Sequence, residues 1–202
     1  MGGGDEGQAF PVYIAVVAGL LFLAFAYFAV GQAAFTRNSA QTAADAAALA
    51  AAQDARDRLR KDWLEVILSP DQWGGFLHGV AFMDPAACQQ AGEFAARNQA
   101  TLSGGGCAPL ASWGFRVTVR TTGAESRQAT ASAEAVIEPR CSFTEPEPTS
   151  EPTPTPTAPG EGEEEETIPI DGLECAGVDW EIDPENPTLP DAVDLFTVRL
   201  SE

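Results

Sequence analysis

The feature that most constrains this chain is an uninterrupted apolar run near its start. Ala9 to Val30, AFPVYIAVVAGLLFLAFAYFAV, contains no charged and no strongly polar side chain. A helix needs about 20 such residues to cross the hydrocarbon core of a bilayer. Pro11 falls in the first turn, where a missing N–H costs little. Tyr13 and Tyr27 lie near the two ends, as interfacial anchors do. The segment reads as a transmembrane helix. Its length, and the absence of any basic residue from the preceding MGGGDEGQ, argue for an uncleaved anchor and against a secretory signal peptide.

The residues after the span are as informative. RNSAQTAADAAALAAA, residues 37–52, consists mostly of alanine with one large aliphatic side chain. Helix formers continue through QDARDRLRKDWLEVIL to Leu68, and Ser69-Pro70 ends them. Leu49, Ala52, Ala55, Leu59, Trp63 and Ile67 recur with a three- and four-residue rhythm. The pattern predicts one rod from span to stalk, roughly 90 Å long at 1.5 Å per residue. An alanine-rich helix carries little apolar bulk, so residues 32–69 are expected to stand free as a stalk. Only the last turns, with Leu59, Trp63, Leu64, Ile67 and Leu68, have side chains large enough to seat a domain.

Beyond Pro70 the pattern changes. Asp84-Pro85 is a helix start, an N-cap followed by Pro at the first helical position, and predicts a second helix to about Gln99. SGGGCAPL reads as a loop, and its glycines lack the Lys-Ser/Thr of a phosphate-binding loop. GFRVTVRT, Gly114–Thr121, alternates as a strand, and QATASAEAVIE, Gln128–Glu138, as its hairpin partner. Thr144 to Thr167 is a Pro/Thr/Glu tract whose prolines and repelling glutamates predict a disordered, extended loop. DLFTVRL, Asp194–Leu200, alternates again and is a candidate third strand.

The expected fold is therefore α+β. A cytoplasmic lead (1–8) precedes the transmembrane helix (9–31) and the alanine-rich helical stalk (32–69). An α+β head (70–143) with one further helix and a two- to three-stranded antiparallel sheet comes next. The acidic low-complexity linker (144–167) and a C-terminal segment returning to the head (168–202) complete the chain.

Charge is unevenly distributed. Residues 1–140 hold 13 Asp+Glu against 10 Lys+Arg, a net of −3, and residues 141–202 hold 17 against 1, a net of −16. The acidic C-terminal third repels polyanions, which argues against nucleic-acid binding. Four cysteines, Cys88, Cys107, Cys141 and Cys175, lack metal-site spacing, and no cofactor is expected. Three disulfide pairings are possible. Cys88–Cys107 with Cys141–Cys175 is favoured because each pair brackets a local segment. The even cysteine count and the Pro/Thr-rich tract place the bulk of the chain outside the cytoplasm, against the positive-inside tendency of Arg37.

Catalytic signatures (GxSxG, HExxH, GxxxxGK[ST]) are missing, so no enzymatic activity is expected. The single His78, set in FLHGV, reads as a packing residue. Asp179, Glu181, Asp183 and Glu185 alternate without the spacing of an EF-hand and read as a solvated face.

A lead ending in Gly7-Gln8, one apolar span, Gly31 near its end and then QTAADAAALAAA, Gln41–Ala52, together resemble the N-terminal region of the TadE/TadG-like proteins of Tad (Flp) pilus-assembly systems. The resemblance covers residues 5–60 or so. It implies a membrane-anchored extracytoplasmic component of pilus assembly or adhesion, with other membrane-anchored pilus-assembly proteins as partners and homo- or hetero-oligomers through the N-terminal helix. Small side chains allow close helix–helix approach, which makes Ala44, Asp45, Ala48, Leu49 and Ala52 the candidate packing face. The alternative is an anchored ligand- or cell-wall-binding domain unrelated to pili, using Trp73, Trp113 and Trp180.

Overall fold

A computed structural model of the chain describes residues 9–77, 85–123, 128–145 and 169–201. The lead (1–8), His78 and nearly all of the acidic tract lie outside the described residues.

Span and alanine tract form one helix, α1, Ala9–Glu65, of 57 residues. At 1.5 Å per residue it is about 85 Å long. It is the one helix among the described residues long and apolar enough to cross a membrane. Its first half is bare: Phe22, Phe25 and Tyr27 are 70%, 71% and 84% exposed. After it come the helices α2, Trp73–Leu77, and α3, Cys88–Arg97, then the strands β1, Ala100–Leu110, β2, Gly114–Thr121, and β3, Thr130–Pro139. Three short strands continue the chain: β4, Cys141–Phe143, β5, Ile170–Cys175, and β6, Val178–Ile182. The short helix α4, Ala192–Leu195, runs into the last strand, β7, Phe196–Leu200.

The second half of α1 corrects the expectation of a free stalk. Ala43, Ala44, Ala47, Ala48, Ala51 and Ala52 are fully buried, and Ala55, Leu59 and Trp63 nearly so. They lie in the core of the chain's own head, on an antiparallel sheet ordered β1-β2-β3-β7. The physical reason is a division of labour. The sheet supplies the large side chains, with Phe115, Val117, Val119, Ile137 and Phe196 buried. The helix supplies methyl groups small enough to let a backbone approach them. Alanine is itself among the residues most often fully buried. The same device recurs in α3, which packs beside α1 and buries Ala91 and Ala95.

The hairpin of β2 and β3 matches its alternation, with Phe115, Val117 and Val119 opposite Ala135, Ala133 and Ala131. Gly114 is required here: a Cβ would lie 2.0 Å from the Ala135 carbonyl oxygen. The SGGGCAPL segment is the second correction, because it is strand and not loop. β1 reaches Leu102, opposite Val119, and resumes at Cys107, opposite Val117. Gly104, Gly105 and Gly106 take positive φ in the interruption, a bulge whose backbone disguises the strand. β7 pairs with β3, as the C-terminal alternation implies, so the main sheet has four strands. The first turn of α4, just before it, is held by the Asp191 N–H donating to Asp194 at 2.9 Å.

A second, three-stranded sheet was not expected. β4, β5 and β6 pair antiparallel in that order. The sheet belongs to the far end of α1. There α2 places Trp73 between Trp63 of α1, at 5.6 Å between ring centroids, and Phe143 of β4, at 4.9 Å. The Trp73 indole N–H donates to the Val66 carbonyl at 3.0 Å.

Candidate functional site

The expected packing residues resolve into two groups. Ala44, Ala48 and Ala52 are buried in the head and present nothing to a partner. Leu49 is half-buried against the same core, and Asp45, at the margin, accepts a hydrogen bond from the Gln41 amide at 2.7 Å. The exposed apolar surface of α1 lies earlier on the helix. From Phe10 to Phe35 the apolar side chains are uncovered by the head, and Gly19 and Gly31 have no heavy atom within 4 Å of an added Cβ. Ala15, Ala18 and Gly19 put small side chains on one flank of this bare length, the composition that permits close helix approach in lipid.

The cysteines join as Cys88–Cys107 and Cys141–Cys175. The first fastens α3 to the bulged edge strand β1. The second links two residues directly opposite each other in β4 and β5, closing the loop that contains the acidic tract. Next to it the Thr144 N–H donates to the Gly172 carbonyl at 2.9 Å. Gly172 has φ +93°, and a Cβ there would meet the Thr144 oxygen at 2.2 Å. This is a position for glycine alone.

The tryptophan alternative finds no shared surface. Trp73 is fully buried, occupied by Trp63 and Phe143, while Trp113 sits at the β1–β2 turn and Trp180 on β6. Glu174 of β5 stands opposite both Ser142 and Asp179, so Glu174 and Asp179 share an exposed sheet face. Among the described residues no three His, Cys, Asp or Glu side chains converge on a metal-binding geometry. The Glu138 carboxylate is held below its ordinary range, chiefly by the hydrogen bond from Arg199, which fastens β7 to β3.

Two recesses that the sequence did not reveal flank α1 where it leaves the head. One, of about 590 Å³, lies among Asn38, Ser39, Thr42, Arg97, Asn98 and Thr122. A smaller one, of about 310 Å³, reaches back along the helix to Gln32 and Ala29, beneath Gln128. Their residues come from three separate parts of the chain, and no local motif links them.

Residues 7–54 match the family described as putative Flp pilus-assembly, TadE/G-like. The matched stretch takes in the bare half of α1 and ends within the buried alanine tract. No curated protein and no solved structure matches the chain.

Proposed function

We propose that this protein is a non-catalytic, single-pass component of a Flp-type pilus-assembly or adhesion apparatus. Its head lies outside the cytoplasm, and it acts by helix packing with other membrane-anchored proteins of the apparatus. The observation that carries the reading is the coincidence of the family match over residues 7–54 with a membrane-length apolar window of α1 that its own head leaves unburied. A bare apolar half has two kinds of neighbour, lipid and other helices. Its small residues favour close helix contact. The packing surface is accordingly Phe10–Phe35 and not the alanine tract. Two disulfides and the Pro/Thr/Glu tract support an oxidising compartment for the head.

A photo-crosslinking side chain placed at Ala18 or Phe25, and at exposed Asp179 as reference, tests this in intact cells of the source. Span positions are expected to yield adducts with membrane-anchored pilus-assembly subunits. Protease added outside cell-wall-free cells should digest the head. Adducts with lipid alone, or a protected head with reduced cysteines, would overturn the proposal.

A further inference from the structure

We infer that the groove at the membrane-facing base of the head is a seat for the phosphate headgroup of an anionic phospholipid from the bilayer that α1 spans. This goes beyond the pilus reading and shares with it only the membrane anchor.

The groove lies at the right height. From Val30, the last residue of the apolar run, to Thr36 at the lower lip of the groove is about 9 Å along the helix at 1.5 Å per residue. The headgroup zone of a bilayer is about 5–8 Å deep on each side. The lower lip of the groove therefore meets the outer edge of that zone. The smaller recess, lined by Ala29, Gln32, Arg37 and Gln128, lies at the level of the last apolar residues. Gln128 and Ala129, just ahead of β3, thus overhang the helix where lipid begins. Phe35, 74% exposed on the same stretch, stands about 7.5 Å beyond Val30, at the level of the headgroups.

Its walls have the right chemistry. Among the described residues no carboxylate lines the groove; hydroxyls and amides surround it with the Arg97 guanidinium. Asn98 and Thr122 already donate to Phe94 and Gln99 and act as fixed walls. Asn38 and Ser39 of α1 supply further donors. Arg37, exposed in the adjoining recess, makes no ion pair among the described residues. Arg97 lies 4.7 Å above the Phe94 ring and pairs with Glu93 at 3.6 Å, with both side chains well exposed. An exposed pair of that kind is weak and yields to a phosphate, which guanidinium binds bidentately.

The head as a whole is polarised in the same sense. Asp171, Glu174, Asp179, Glu181, Asp183 and Glu185 sit on the β4–β6 sheet and its exit, at the far end of α1. About 40 Å of helix separates Phe35 from Trp63 at 1.5 Å per residue. Arg56, Arg58, Arg60 and Lys61 lie toward that end as well, so the segregation is one of acid, and carboxylates held away are what an anionic surface favours.

The full-length chain in mild detergent, offered equal amounts of phosphatidylglycerol and phosphatidylcholine and read by native mass spectrometry, tests the seat. The wild type is expected to retain phosphatidylglycerol selectively. Arg37→Gln and Arg97→Gln are each expected to lower that retention about fivefold, the effect of one basic residue at an anionic surface. Arg116→Gln, on the outer sheet face, is expected to leave it unchanged. Equal retention of both lipids, or selectivity that survives the double Arg37→Gln/Arg97→Gln variant, would overturn the inference. So would displacement of the lipid by millimolar inorganic phosphate, which would mark a site for free anions. Carbonate extraction of membranes checks the anchor itself, so a failed seat is distinguishable from a failed span.

Discussion

Ala48 is fully buried where helix and sheet meet, and its methyl group sets how closely they approach. Its role is volume. Ala48→Leu adds three carbons to a filled space, and overpacking of this kind costs about 1–3 kcal/mol. Thermal unfolding of the full-length protein in detergent should show the loss. Ala24→Leu, on the bare stretch of the same helix, should leave the transition within error of the wild type. Equal stability of the two variants would mean that the tract does not form the head's core. Alanine also misleads when only its own neighbourhood is read. It is equally at home in an exposed rod and in a tight interface, and its periodicity is faint because every face of the helix is small. The large side chains packed against it decide between the two, and they lie at Phe115–Val119, Ile137 and Phe196, far along the chain.

At the scale of elements, the β4–β5 pair closes a long excursion. Phe143 stands opposite Leu173 and Cys141 opposite Cys175, so the chain leaves and re-enters the head at neighbouring points. Replacing 146–168 with a short glycine-containing turn should preserve the fold and the Cys141–Cys175 bond. With the bond intact the loop is closed in the unfolded chain as well, so its closure entropy is lost before folding and the shortened protein should melt close to the wild type. Differential scanning calorimetry with disulfide mapping by mass spectrometry checks this; loss of the native bond would show that the tract helps to fold the head. The elements legible in sequence are those with a long, regular pattern. β2 and β3 alternate over eight and ten residues with bulk on one side only, a signal that survives without context. β1 hides behind three glycines whose bulge breaks its register. β4 has three residues and β6 five, too few for periodicity, and β5 is separated from β4 by the acidic tract. The base groove was not legible at all. It exists only because α1, the end of α3 and the end of β2 meet, and its donors are ordinary surface residues when read in sequence.

For the molecule as a whole, the boundary between anchor and head does not fall at Pro70. It falls within α1, between the bare Phe35 and the buried Ala40. A chain beginning at Thr36 keeps every alanine of the interface together with Leu59 and Trp63. It should remain soluble without detergent, form both disulfides and melt cooperatively. A chain beginning at Pro70 leaves Phe115, Val117, Val119, Ile137 and Phe196 facing water. Each such side chain contributes about 1.5–3 kcal/mol when buried, so the five together are worth on the order of 10 kcal/mol, comparable with the entire stability of a typical domain. Disulfides cannot restore this, because they restrict the unfolded chain without covering the sheet. The shorter chain should therefore bind a hydrophobic dye and unfold without a cooperative transition, while the longer one should not. A cooperative transition in the chain from Pro70, with the sheet's far-ultraviolet signature intact, would restore the free stalk and remove the alanine helix from the core. If the transition belongs only to the chain from Thr36, any force on the bare half of α1 acts directly on the core of the head, because one unbroken helix serves both.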